Sequence, residues 1–393
     1  MSSRRHGSGW WVVALLGVAS GCAATVGSTQ GGSSDSGADA GPPPIVDLVA
    51  AGPNTCALRS DGRVRCWGQY GRGGDPTAPG AGTRAEAAER ADAVRIAVQP
   101  DAPAQGCAVR ESGEVSCWST NATGAVGRPR AVARPLPARA RDVAMGSAHT
   151  CVLTVDRAVL CWGDNRGGQL GAGDFQPYEG AVSVVGLGPV EEISAWESNT
   201  CARTADGAVY CWGRNFRGAL GDGVGRHACP DPGPDEDCSA VPVRVLGIGA
   251  AQSISVGLNT GCAVVEGVPH CWGWSTSRGE SDGGMTKAAT RVGDLTDVTA
   301  VFAGYITGAA IRRGGEVVLW GADFSLESDG GTVSDGRPRP VAGIRRARRV
   351  TGGWYHLCAL QEDGAVYCWG TGGFGQLARS GTERSGSVRI EGI

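Results

Sequence analysis

Fourteen cysteines of this chain stand in seven close pairs: Cys56 and Cys66, Cys107 and Cys117, Cys151 and Cys161, Cys201 and Cys211, Cys229 and Cys238, Cys262 and Cys271, Cys358 and Cys368. A fifteenth, Cys22, stands alone near the N-terminus. Thiols paired so closely either bond in an oxidising compartment or stay reduced as small buried residues. The sequence between them favours bonding. In Thr55–Gly68, TCALRSDGRVRCWG, two short alternating runs flank the turn Ser60-Asp61-Gly62, where Gly62 is free to take a positive φ. A three-residue loop pairs Arg59 with Arg63 and sets Cys56 opposite Cys66. Facing cysteines on neighbouring antiparallel strands lie within bonding reach. In CAVVEGVPHC the loop shortens to Glu266-Gly267, yet Cys262 still faces Cys271. Six hairpin disulfides are expected, with Cys229–Cys238 a seventh inside a loop.

Other chemistry is poorly represented. No C-x-x-C, H-E-x-x-H or G-x-S-x-G motif occurs, and the five histidines are scattered without metal-ligand spacing. The stretch Gly370–Gly375 fits G-x-G-x-x-G in form, but it aligns with Gly163–Gly168 of a repeated hairpin and opens no helix, so it is not read as a dinucleotide loop. A net charge of −3 gives no footprint for nucleic acid. No catalytic residues, metal or cofactor are expected, and the chain is not expected to be an enzyme.

The elements that hold the cysteines repeat with a period of about fifty residues. First cysteines fall at 56, 107, 151, 201, 262 and 358, and the wide last gap hides a further copy. Gly308–Gly321, GAAIRRGGEVVLWG, aligns without a gap, with Ala309 and Leu319 in the two cysteine positions. Both thiols are missing together, as a bonded pair requires. There are seven copies. Each adds a strand before the hairpin (IVDLVAAG, RDVAMGS, EEISAWE) and another between repeats (VPVRVLGI, RPRPVAGI). Four strands taken seven times predict an all-β, seven-bladed propeller with hairpin disulfides. Because GSVRIEGI matches VPVRVLGI and nothing similar precedes IVDLVAAG, Ser387–Ile393 is expected to complete the first blade, so that the C-terminal strand closes the ring. Trp67, Trp118, Trp162, Trp212, Trp272, Trp320 and Trp369 recur at one position, which favours packing between blades over a ligand ring.

The recurring phrase G-x-x-H/N-T-C-A-L, then D-G-x-V-x-C-W-G-x-N-x-x-G-Q-L-G, resembles the regulator of chromosome condensation repeat family. GSAHTCVL with CWGDNRGGQLG, and GWYHLCAL with CWGTGGFGQL, carry the resemblance, which covers residues 45–393. Copies one, two, five and six depart from it after the tryptophan, as in WGQYGRGGD and WSTNATGAVG. The resemblance implies a propeller, and for His149, His356, Asn54 and Asn199 a structural role in hydrogen-bonding the turn. It also implies two functions. Some exported bacterial relatives inhibit enzymes through one propeller face. The family's nuclear founder is a guanine-nucleotide exchange factor for a small GTPase, which is the alternative reading here.

The N-terminus has the layout of a secretory signal peptide, with Arg4 and Arg5 ahead of the apolar run Trp10–Val18. Ala19-Ser20-Gly21-Cys22 resembles a bacterial lipobox, with Ala19 where leucine is usual. Lipidation of Cys22 would also explain the odd cysteine; an ordinary signal peptide with a chance cysteine is the alternative. The expected organisation is a signal peptide over 1–21, a lipid-anchored flexible tether over 22–44 and the propeller over 45–393.

Residues that break the repeat are the candidates for binding. Trp196, Tyr305, Trp354 and Tyr355 follow the first strands of blades four, six and seven, where blades one and three have Pro53 and Ser147-Ala148. They are expected to form an aromatic protein-binding patch on one rim; folding inward over the channel is the alternative. The insertion 221–240, with Asp231, Asp235, Glu236 and Asp237, is read as a stapled surface loop, its spacing being poor for calcium. Arg345, Arg346, Arg348 and Arg349, echoed by Arg134, Arg139 and Arg141, are read as a solvated outer edge. The expectation is a monomeric, non-catalytic propeller in a bacterial cell envelope, held to the membrane by lipid and binding a macromolecule, chiefly protein, with enzyme inhibition as a specific version.

Overall fold

The structure, a computed structural model, describes residues 42–68, 85–88, 92–100, 105–118, 136–224, 229, 237–274, 284–321, 337–370, 376–377 and 385–391. Cys22 and the signal and tether segments lie outside the described residues, as do Arg134, Asp231, Asp235, Glu236 and most of Gly370–Gly375. The unit considered is Pro42–Ile393. Among the described residues no helix is long and apolar enough to cross a membrane.

Each repeat folds as the alternation demands. Cys56 sits opposite Cys66, with Leu58 opposite Val64, and Arg59 N–H donates to the Arg63 carbonyl at 2.9 Å across a turn in which Gly62 has φ +77°. In blade five, Val265 faces Val268 around Glu266 and Gly267, both at positive φ, so the shorter turn keeps Cys262 opposite Cys271. The six hairpin disulfides join cysteines with Cα atoms 3.9 to 4.1 Å apart, and Cys229–Cys238 forms the seventh bridge. In blade six Ala309 pairs with Leu319 in the same register, both buried.

Seven sheets result: six of four strands, and blade two with three among the described residues. Strand order within each sheet follows the chain, so every blade is contiguous in sequence. The inner strands are Ile45–Ala51, Ala93–Val98, Ala140–Met145, Val190–Trp196, Ala251–Gly257, Val298–Ala303 and Ala347–Gly352. Each touches the next, and the first touches the seventh, which closes the ring.

Closure does not use strand exchange. The C-terminal strand Ser385–Ile390 pairs with Val366–Gly370, placing Cys368 opposite Val388, and is the outermost strand of blade seven. Blade one has its own fourth strand, Ala85–Ala88. The expectation that Ser387–Ile393 completes the first blade is corrected for a simple reason: VPVRVLGI-type segments end their own blade instead of beginning the next. The C-terminal strand still contributes to closure through packing, since Ile390 joins Ile45, Leu48, Trp67, Leu360 and Leu377 in one apolar cluster across the closing seam.

The seven tryptophans are all buried between blades. Their partners are specific: Nε1–H of Trp67, Trp212 and Trp272 donates to the carbonyls of Gln376, Gln169 and Ala219, each 2.9 Å away in the loop of the preceding blade. Six of the seven tryptophans, all but Trp118, are followed by a glycine that the backbone requires. Gly68, Gly163 and Gly213 have φ of +122°, +111° and +103°, and a Cβ there would overlap the carbonyl oxygens of Pro53, Ala148 and Ser198.

Candidate functional site

All seven inner strands line a central channel with a cavity of about 380 Å³. They run side by side in one sense, because like positions bond across seams: Ser194 Oγ accepts Val256 N–H, Ser255 Oγ accepts Ala303 N–H, and Thr351 Oγ1 accepts Ala50 N–H, at 2.9 to 3.0 Å. Equivalent residues therefore form rings, and the two ends of the channel differ in chemistry.

Near the start of the strands, just after a register shift common to every blade, stand Asp47, Arg95, Asp142, Glu192, Ser253, Ala300 and Arg349. Arg349 Nε lies 2.9 Å from Asp47 Oδ1, and Glu192 Oε2 lies 3.1 Å from Arg203 Nε. Asp142 Oδ1 accepts its neighbour's N–H from Val143, and burial holds its carboxyl above the usual carboxylate range against the pull of Arg349 and Arg95. Burial likewise raises Glu192, with Arg203 opposing. This overturns the outer-edge reading of Arg348 and Arg349. Both line the channel, and Arg348 donates to the Ile45 carbonyl and Arg349 to the Leu48 carbonyl across the closing seam. Arg139 and Arg141 bridge blades as well, to the Glu111 and Ser112 carbonyls and to Glu191.

At the other end the aromatic candidates gather. Trp196 ends its strand and is 4% exposed, packed in the same cluster that Trp354 covers from blade seven. Trp354 N–H donates to the Gly52 carbonyl at 2.9 Å. Tyr305 and Tyr355 meet edge to face with ring centroids 5.7 Å apart. Burial, with Tyr355 and the Glu197 carboxylate nearby, raises the Tyr305 hydroxyl above its ordinary value. Trp196 thus lies inward as a support, while Tyr305, Trp354 and Tyr355 remain half-buried at the surface.

His149 and His356 serve the seams. His149 Nε2 lies 2.8 Å from Thr200 Oγ1 of the next blade, and His356 Nε2 lies 2.7 Å from Thr55 Oγ1 of blade one. Their role is a bridge between blades, beyond the turn they were expected to hold. Burial depresses both, His149 to about 4 and His356 to about 3. Where the preceding blade has Asn54, Asn199 or Thr260 in the histidine position, the next blade has Gly106, Gly261 or Gly308 in place of threonine. A Cβ at those glycines would overlap the rings of Trp118, Trp272 and Trp320. Residue-by-residue reading of single repeats missed this pairing; aligning each repeat with its successor would have found it. Asp237 Oδ2 accepts Asn215 Nδ2–H at 2.8 Å, so that side chain of the stapled loop is engaged. Among the described residues no group of three or more His, Cys, Asp or Glu is placed to hold a metal ion.

A ring of seven sheets around a polar channel defines a β-propeller. Residues 140–169, 192–219, 348–376 and 206–264 match the regulator of chromosome condensation (RCC1) repeat, so the chain carries repeats of that family. It is similar to the ultraviolet-B receptor UVR8 of Arabidopsis thaliana, 26% identical over 86% of this chain and 79% of that protein. It is also similar to the mitochondrial RCC1 domain-containing protein RUG3 of Arabidopsis thaliana, 34% identical over 28% of this chain, a match that spans only 25% of that protein. Among solved structures, human WBSCR16 superposes with a TM-score of 0.66 at 18% identity, covering 81% of this chain and 89% of that one. Prp20p of Saccharomyces cerevisiae superposes with 0.61 at 18% identity, covering 79% and 80%. At these identities the structural likeness shows the fold.

Proposed function

We propose that this propeller is a non-catalytic binding scaffold whose protein partner docks over the aromatic end of the channel. The observation that carries the reading is convergence. Tyr305, Trp354 and Tyr355, from two blades, stay half-buried at one channel end over the buried Trp196, although the repeat requires none of them. Aromatic side chains on a rigid support are the usual anchors of interfaces. Prp20p, of the same fold, has binding properties toward Gsp1p and histones, which supports a protein partner in kind. Inhibition of an enzyme by covering it with this face is the specific form of the proposal.

The location follows from the cysteines. Seven disulfides point to an oxidising compartment outside the cytosol. That environment disfavours exchange on a cytosolic GTPase as the function. We place the protein in the cell envelope as a monomer, anchored through lipid on Cys22 by the tether 23–44.

The test is capture from envelope extract by the full chain with its disulfides formed, beside a Trp354→Ala/Tyr355→Ala variant. Loss of a captured protein in the variant alone supports the aromatic end. Equal capture by both forms removes it. Radiolabelled palmitate incorporated by the wild type and not by Cys22→Ser supports the anchor, and equal labelling removes it.

A further inference from the structure

The loop after the fourth blade's tryptophan carries a surface that the repeat does not need. Blade three reads Asp164-Asn165-Arg166-Gly167-Gly168 here, and blade four reads Arg214-Asn215-Phe216-Arg217-Gly218. The two asparagines do the same work, accepting the N–H of Leu170 and of Leu220 at 3.0 Å. The rest differs in charge and in apolar content. Blade three neutralises its own arginine, with Arg166 Nε 2.8 Å from Asp164 Oδ1. Blade four places Arg214 where that aspartate would be, and replaces a glycine with Arg217.

Arg217 is held in an unusual way. Its φ is +57°, a left-handed conformation that a long side chain rarely adopts. This conformation accompanies a guanidinium that stacks on two rings, 4.8 Å from the Trp274 centroid and 5.3 Å from that of Phe216. Stacking through the faces leaves the in-plane N–H donors free for a carboxylate. The turn Phe216–Gly218 packs on blade five's strands Val268–Trp274 and Met285–Arg291. Phe216 is 43% exposed and Met285 54%. Lys287 is exposed two residues beyond Met285, on the same side of that strand. Among the described residues neither Arg217 nor Lys287 forms an ion pair. The third strand of a blade runs parallel to its inner strand, so this loop opens on the same face as Trp196 and the aromatic channel end.

We propose that the surface formed by Phe216, Arg217, Trp274, Met285 and Lys287 binds an acidic segment of a partner protein. A carboxylate of that segment engages Arg217 and Lys287, and an adjacent apolar side chain covers Phe216 and Met285. Charge complementarity selects this occupant: the patch is apolar, and its two cations form no ion pair among the described residues. The proposal rests on the scaffold reading above and adds the partner's chemistry.

The test is fluorescence anisotropy on the full chain with disulfides formed, using short labelled peptides that alternate Asp or Glu with Leu or Phe. Control peptides replace the acids by Lys, or the apolar residues by Ser. Only the acidic, apolar peptides are expected to bind, and Arg217→Glu is expected to weaken them about tenfold or more. Lys287→Glu is expected to weaken them less. Arg217→Ala, checked for an unchanged melting midpoint, guards against a folding artefact. Equal binding of the Lys or Ser controls, no effect of Arg217→Glu, or binding of anionic phospholipid vesicles without any peptide would each overturn the proposal. Trp354→Ala/Tyr355→Ala separates the two readings. Peptide binding kept there and lost in Arg217→Glu supports this surface even if the aromatic end fails. Binding lost only in the aromatic variant overturns this surface and leaves the scaffold reading in place.

Discussion

Among the described residues, the seams that follow blades three, four and seven share a contact of their own. In those three, the loop after the tryptophan keeps its G-x-L ending, and its Gln169, Ala219 or Gln376 carbonyl receives the next blade's indole N–H. The tryptophans so received, Trp212, Trp272 and Trp67, are completely buried. Trp118 and Trp369 follow blades whose loops depart from the repeat, and among the described residues their buried Nε1 atoms have no hydrogen-bond partner. Blades three, four and seven are also where the shorter repeat matches fall. The repeat phrase is therefore written in one blade and used by the next. Two of the three seams, three to four and seven to one, add the histidine–threonine bridge. The second of these closes the ring without strand exchange, reinforced by Arg349 on Asp47 and by Thr351 on Ala50.

Four measurements would break or sharpen this contrast. The largest effect is expected from removing an indole. Trp212→Ala should cost about 3–5 kcal/mol in chemical denaturation, and Trp118→Ala should fall at the lower edge of that range, since no hydrogen bond is lost with the packing. Equal costs would mean that packing alone holds the seams. Next, Cys358→Ala/Cys368→Ala should cost about 3 kcal/mol, because a short closed loop is released in the blade that closes the ring. A loss much below 1 kcal/mol would show that the sheet holds this blade without its bridge.

The histidine bridges come third. His356→Ala and His149→Ala should each cost about 1–2 kcal/mol, with the closing seam the more sensitive. They also set a pH dependence. Both folded values lie below the unfolded 6.5, so the unfolded chain binds more protons in acid, and stability is present in full above about pH 6.5. It declines as pH falls toward about 4 for His149 and about 3 for His356, by up to about 1.4 kcal/mol per pH unit for each. Denaturation between pH 7 and pH 4.5 should show this slope in the wild type and a shallower one in His149→Gln/His356→Gln. The smallest effect is expected from Trp212→Phe, about 1 kcal/mol or less through the lost indole hydrogen bond, since the Gln169 carbonyl keeps Thr200 Oγ1–H as a donor, against nearly none for Trp118→Phe.

Much of the fold is legible in the chain because a hairpin is a local object. Cysteine spacing sets the register of each hairpin, and Gly62, or Glu266 with Gly267, sets its turn. The absent pair at Ala309 and Leu319 could be placed by alignment alone, since loss of one bonded partner removes the use of the other. The aromatic candidates were visible as departures from a repeat. Their division into a buried support, Trp196, and surface rings was not, because burial at a channel end depends on which residues the opposite blades bring there.

What the sequence determined by itself was therefore the blade: its four strands, its bridge and its count of seven. Tertiary structure decided how blades meet. It placed Ser385–Ile390 at the edge of blade seven, turned Arg348 and Arg349 from an apparent outer edge into the channel, and paired His149 and His356 with threonines some fifty and three hundred residues away. Register within a hairpin follows from neighbours in the chain. Contacts across a seam arise only once the ring has closed and set distant repeats side by side.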